Sequence, residues 1–351
     1  MDGVVRKQSS PTEIASCHKI RRREANQGTP VNSTKHPIAR MLLERIALGF
    51  LSLIIVSLII FLAVSMLPGD FASSILGRSA TPETVAALRE QLGLNLPWYH
   101  RYLSWLGHAL TGDFGQSFSE RPVGRIIGPR LLNTLYLAAL TAVVAVPLAI
   151  GLGIAAALYR NRFLDRMLSA SSLASISIPE FFFAYIVMLL FAIKLHWFPS
   201  LSSIRPTMLL SDQLIRMVLP VLTLTLVILA HMMRNTRAAI IGVMSRPFIE
   251  MAQLKGESAA RVVIRHALPN VIGPIASVVA LNLAYLVGGV VVIEVVFVYP
   301  GIGQTMVDAV RNRDIPVIQA CALIFAVTYI LLNLTADIIS IVSNPRLLHP
   351  R

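Results

Sequence analysis

Six apolar runs, each about long enough to cross a bilayer, constrain this chain more than any other feature. The first, Ile46 to Leu67, carries no charge. The others are Leu131 to Tyr159, Met167 to Ile193, Met217 to Met233, Val271 to Val298 and Val317 to Val342. About 20 apolar residues span the hydrocarbon as a helix, which satisfies its own backbone polar groups. With 55% hydrophobic and only 14% charged residues among 351, no soluble fold could hide so much apolar surface. The expected fold is an all-α polytopic membrane protein with six transmembrane helices.

The charges orient it. The net charge is +13, from 31 Lys and Arg against 18 Asp and Glu. Arg160, Arg162 and Arg166 follow the second run, and Arg234 and Arg237 close the fourth. Cytoplasmic loops carry this excess, so these loops and both termini are expected in the cytosol. A basic balance of this origin does not call for nucleic acid. Cys17 and Cys321 lie in a polar tail and an apolar run, so no disulfide framework follows. Residues 1–40 are polar and basic, and read as a disordered cytosolic tail that cannot bury a core. Met41 is an alternative start, and the run after the tail is too long for a cleaved signal. The expected division is tail 1–40, first helix 41–69, external segment 70–130, five-helix core 131–343 with a loop at 247–269, and cytosolic end 344–351. The external segment holds helical patches at Glu83 to Leu92 and Trp98 to Leu110. A polar stretch of this length should have a structure of its own.

Catalytic signatures are missing. No GxxxxGK[ST], GxSxG, HExxH or CxxC occurs, so the chain is not expected to bind or split ATP, to hydrolyse, or to hold a metal. His231 and His266 are too far apart to suggest a metal site. Three carboxylates fall inside apolar runs: Glu180, Glu294 and Asp337. A charge at bilayer depth costs several kcal/mol, so each faces either a partner within the bundle or a watery translocation pathway. Glu180 follows Pro179, where a kink frees carbonyls, and a carboxylate there suits a cationic amino terminus.

The stretch Phe248 to Asn270 is amphipathic and basic between two apolar runs. Pro247 opens a helix and Glu250 falls in its first turn, where the dipole favours an anion. Gly256 stops it, and a second short helix runs to about Ala267 before Pro269 breaks the chain. By pattern this is either a rigid knob in a cytosolic loop or a helix lying on the lipid.

These residues resemble the EAA loop of type I ABC importer permeases. Glu250, Ala252, Gly256, Leu268 and Pro269 match that pattern, while Met251 and His266 depart from it. The peptide/nickel group fits more closely, through Phe248, Ile249, Ala252, Lys255, Gly256 and Arg265 to Asn270. Further matches are Pro68-Gly69-Asp70, Leu88-Arg89 with Leu92-Gly93-Leu94, and Gly112-Asp113-Phe114-Gly115-Gln116-Ser117. His196-Trp197-Phe198-Pro199, Ile293-Glu294-Val295-Val296-Phe297, Pro300-Gly301-Ile302-Gly303 and Asn344-Pro345-Arg346 complete them. The resemblance implies a type I ABC importer permease fold in a bacterial inner membrane. It implies a second homologous permease, two ATPases that bind ATP and Mg, and an external solute-binding protein. The loop would be the coupling helix, with Glu250, Ala252, Lys255, Gly256, Arg265, Leu268 and Pro269 at the ATPase and Ala252 facing its cleft. Glu180, Glu294 and Asp337 are the candidates for the pathway. The solute would be a peptide, nickel, an opine or an oligosaccharide. The rivals are a stand-alone ion-coupled secondary transporter, expected to show repeated broken spans, and an intramembrane hydrolase.

Overall fold

The computed structural model describes residues 37–66, 76, 80–91, 93, 95–205 and 207–342. Pro68-Gly69-Asp70, Leu92, Leu94, Asn344-Pro345-Arg346 and nearly all of the tail lie outside them. Contacts divide the chain into Met1–Met41 and Leu42–Arg351, and the second unit holds the helical bundle.

Among the described residues the helices are α1 (Pro37–Ser65), α2 (Pro82–Gln91), α3 (Trp98–Leu110), α4 (Val123–Leu158), α5 (Phe163–Ser177) and α6 (Glu180–Val187). After them come α7 (Leu210–Met244), α8 (Pro247–Leu254), α9 (Ala259–Arg261), α10 (Leu268–Val296), α11 (Ile302–Asn312) and α12 (Ile315–Val342). No strand occurs among the described residues, only an isolated bridge between Gln116 and Pro122. Among the described residues five helices or joined helices are long and apolar enough to cross a membrane, and a sixth if the bent pair of α5 and α6, the latter continued by a π-helical segment to Lys194, counts as one span.

Three differences from the sequence reading are physical. The run Met167 to Ile193 is not one rod: α5 and α6 meet at 109°. Ile178 is extended (ψ 129°) ahead of Pro179, as the residue before proline prefers, so the helix cannot continue through it. Second, Pro269 breaks nothing. A π-helical segment, Val262–Ala267, joins α9 to α10, so Ala259–Val296 is a single span of 38 residues. The widened turn absorbs the missing proline N–H. Third, α4 starts at Val123, ahead of Leu131, and carries Pro129 and Pro147 within it.

Packing centres on α4, α7 and α10. Leu137, Leu219, Leu224, Val290, Ile293 and Phe297 are buried together at this junction. A second cluster joins Ile240, Val243, Ile249, Val262, Val263 and Val271 beneath the 247–269 loop. A third, with Val123, Ile127, Ile302, Val317 and Cys321, lies where α11 and α12 meet α4. Helix α1 is mostly exposed, as a lipid-facing helix would be, but its Ser57 hydroxyl shares a 2.8 Å hydrogen bond with Tyr102 of α3. Phe61, Tyr102 and Trp105 stack around that contact.

Candidate functional site

The 247–269 loop is a knob with two unlike faces. Ile249 and Ala252 point inward onto the second cluster; Ala252 is only 7% exposed. This corrects the expectation that Ala252 faces an external cleft: its small side chain lets α8 sit close on its own chain. The outward face is apolar as well. Phe248, Met251 and Leu254 recur every third residue and stand in solvent, Leu254 at 75% exposure. Ile264, in the π-helical segment, is exposed as well. Glu250, Lys255, Arg265 and Pro269 are exposed too, and Leu268 is half-buried. Gly256 has φ +79°, and a Cβ there would meet no atom within 4 Å. The turn therefore needs glycine for its backbone angle rather than for space. Glu257 stands 3.8 Å from both Arg261 and His266.

Beneath the loop, Arg237 of α7 grips Asp165 of α5 through both carboxylate oxygens, at 2.6 and 2.8 Å. Asp165 also accepts from the Asn161 backbone N–H at 2.9 Å. Sequence reading used Arg237 only as a topological marker. The missed signal was an aspartate in the first turn of α5, just after the arginine-rich turn.

The three carboxylates in apolar runs have three different surroundings. Glu294 is fully buried. It accepts from the Thr134 hydroxyl (2.6 Å) and from the backbone N–H groups of Gly303 (2.7 Å) and Gln304 (3.2 Å), so it caps α11. Thr134 in turn accepts from the Ile302 N–H at 2.9 Å. Asn133 donates to the Pro300 carbonyl at 2.8 Å, and its own carbonyl accepts from the Tyr299 hydroxyl at 2.9 Å. Burial pushes the Tyr299 phenol above its ordinary range, which keeps it a donor. A Cβ on Gly301 would overlap the Glu294 carboxylate, and one on Gly303 would lie 2.7 Å from the Val291 backbone. The Pro-Gly-Ile-Gly loop is thus wrapped onto Glu294, which makes no contact with an open cavity.

Asp337 of α12 pairs with Arg45 of α1 at 3.0 Å, both partly exposed. Glu180 differs from both. It opens α6 at the bend, half-buried, and accepts one hydrogen bond, from the Tyr285 hydroxyl at 2.9 Å. It lines an open cavity of about 420 Å³ with Phe181, Tyr285, Gly288, Gly289, Val292 and Tyr329. The two histidines stand apart: His231 packs near the Tyr285 ring at 6.2 Å, and His266 lies in the π-helical segment. Among the described residues no group of His, Cys, Asp or Glu is arranged to hold a metal ion.

One further link was not foreseen. The Gly112 to Ser117 motif forms a tight turn in which Asp113 accepts from the Gly115 N–H at 3.0 Å. Ser117 donates to buried Asp314, and the Phe118 N–H reaches the same carboxylate oxygen at 3.2 Å. That contact fastens the segment before α4 to the start of α12. A lone aspartate nearly 200 positions away in sequence gave no local signal.

Comparison with known proteins agrees over almost the whole described chain. Residues 149–349 match the family described as binding-protein-dependent transport system inner membrane component. Residues 38–137 match the N-terminal part of such membrane components. The chain is 38% identical over 295 residues to the glutathione transport system permease protein GsiC of Escherichia coli strain K12, covering 84% of this chain and 94% of that protein. The GsiC proteins of Shigella dysenteriae serotype 1 and Salmonella paratyphi A match with the same identity and coverage.

Proposed function

Since this chain belongs to the family of binding-protein-dependent transport system inner membrane components, with type I ABC permease domains, we propose that it forms half of the translocation pathway for a peptide-like solute and couples to a separate ATPase through its 247–269 loop. The family is one of transport permeases, not enzymes. The observation that carries the coupling role is the two-faced knob. Ile249 and Ala252 anchor it to the chain's own core, while Phe248, Met251 and Leu254 hold out an apolar stripe. An apolar helix face presented on a rigid base suits a groove in a partner protein. The anchoring separates this reading from a helix lying loosely on lipid.

The partners proposed are a second homologous permease, two ATPases that bind ATP and Mg, and an external solute-binding protein. ATP-driven closure of the ATPases would move the two knobs and shift the permease between two conformations. No cofactor is assigned to this chain itself. Both termini and the 247–269 loop would be cytosolic, and the Gly112 to Ser117 turn external. The glutathione named for the relatives favours a peptide-like solute over nickel, an opine or an oligosaccharide.

The test is reconstitution in proteoliposomes with the partners. ATP-dependent uptake of labelled glutathione is expected only when the ATPases and the binding protein are both present. Uptake without ATPases would make the chain a stand-alone transporter. Met251→Asp is expected to abolish ATPase co-purification with the fold unchanged; normal co-purification would return the loop to the lipid surface. Single cysteines at positions 117 and 256, labelled from outside whole cells, check the orientation: only the first should react.

A further inference from the structure

The cavity at the α5–α6 bend carries chemistry that the coupling role does not use. Its walls are three aromatic rings, Phe181, Tyr285 and Tyr329, each about half exposed. The Glu180 carboxylate lines it as well, and the Tyr285 hydroxyl is its one hydrogen-bond partner among the described residues. Among the described residues Glu180 forms no ion pair, whereas Asp337 and Asp165 are each paired with an arginine. An ionised carboxylate has about four lone-pair sites, so one donor leaves most of its accepting capacity free. Gly288 and Gly289 complete the cavity, and a Cβ on Gly289 would lie 3.0 Å from a Glu180 oxygen. Any larger residue at 289 would crowd the carboxylate.

A carboxylate in a cavity lined by aromatic rings suits one class of ligand, an organic ammonium. The carboxylate supplies charge and acceptors, and aromatic rings in the lining add cation–π attraction to a cation bound there. An anion would be repelled, and a neutral apolar group would leave the carboxylate without a partner.

We propose that Glu180, hydrogen-bonded by Tyr285 in the cavity it lines with Phe181 and Tyr329, is a recognition site for the protonated amino group of the solute. This rests on the reading of the chain as half of a pore, in which the cavity faces the pathway. It goes further by assigning charge selectivity to one residue of the bent span. Glu180 is fixed by its position at the first turn of α6, after the extended Ile178-Pro179 pair. The bend therefore places a carboxylate beside the cavity where a straight helix would carry it along the rod.

The test does not depend on coupling. Val292→Cys lines the cavity with a thiol of similar size, in the full-length chain with Cys17 and Cys321 replaced by serine and the partners co-expressed. Its reaction rates with a cationic (2-aminoethyl) and an anionic (2-sulfonatoethyl) methanethiosulfonate are measured in membrane vesicles. The ratio of cationic to anionic rate is expected to fall about tenfold when Glu180→Gln is added, as loss of a nearby charge dictates. Glycylglycinamide should protect the thiol in the Glu180 protein, and its N-acetyl form should not. An unchanged ratio, equal protection by both amides, or a thiol that reacts with neither reagent would overturn the proposal. The first of these is the outcome if a cation from the second permease already pairs with Glu180. Glutathione uptake in proteoliposomes is scored separately, so failure of the half-pore reading and failure of this site give different results.

Discussion

Glu294 and Glu180 look alike in the sequence, as single carboxylates in apolar runs, yet the fold treats them in opposite ways. Around Glu294 three donors converge on one carboxylate, and Gly301 has no room for a side chain. Around Glu180 one tyrosine donates, and the rest of the carboxylate faces a cavity. A buried charge is tolerated when its hydrogen-bonding capacity is filled. Filled capacity makes a structural joint, and unfilled capacity leaves an acceptor for something that arrives. The count of donors separates the two cases.

This contrast can be broken most directly at the joint. Glu294→Ala leaves the Gly303 and Gln304 N–H groups and the Thr134 hydroxyl without their acceptor. A loss of about 3 kcal/mol or more is expected, read as a lower unfolding temperature of the purified protein. Gly301→Ala should cost a similar amount by steric overlap, and the double variant less than the sum, because both act on one contact. A strictly additive pair would show that the loop does not rest on Glu294.

Next in size is the tie beneath the knob. Arg237→Lys keeps the charge but loses the two-pronged grip on Asp165. We expect about 2 kcal/mol of destabilisation, with ATPase-stimulated activity falling further than stability. Gly256→Val should cost about 1–2 kcal/mol through its left-handed backbone and should lose ATPase co-purification. Ala252→Trp belongs with the buried side of the knob: overpacking should cost about 1–3 kcal/mol in the fold itself. If Ala252→Trp lowers ATPase binding while leaving stability untouched, the inward placement of Ala252 is wrong. The smallest effect on stability belongs to Glu180→Gln, which is expected to stay within about 1 kcal/mol of the parent. A large drop there would turn Glu180 into a second structural joint and end the contrast.

Much of this architecture is legible in the sequence, because a bilayer demands apolar runs of fixed length and loop arginines mark one side. The short helix Pro247–Leu254 and its stop at Gly256 were legible through Pro247, Gly256 and the amphipathic pattern. Finer features were not, because they depend on packing between distant segments. Pro179 announces a kink, but a bend of 109° depends on what the two arms pack against. Pro269 announces a break, but a π-helical turn upstream lets the helix run on. Helix α11 lies between the last two apolar runs and was not read from the sequence, although Ile302, Met306 and Ala309 recur at helical spacing. Ser117 and Asp314 meet only in three dimensions.

The unbroken course of Ala259–Val296 has one more consequence. Tyr285, Gly288, Gly289 and Val292, which wall the cavity, and Glu294, which anchors the Pro-Gly-Ile-Gly loop, are carried on the same shaft as the base of the knob. At 1.5 Å per residue, about 40 Å separates Ala259 from Tyr285 along it. The Val262–Ala267 π-helical turn and Pro274 lie between them, at the kinds of place where helices bend; over the rest of that length a tilt of a few degrees becomes a displacement of about 2–4 Å at the cavity wall, by lever geometry. The opposite wall, Glu180 with Phe181, is mounted on the separate arm of the bent span, so such a tilt would change the width of the cavity rather than carry it along whole.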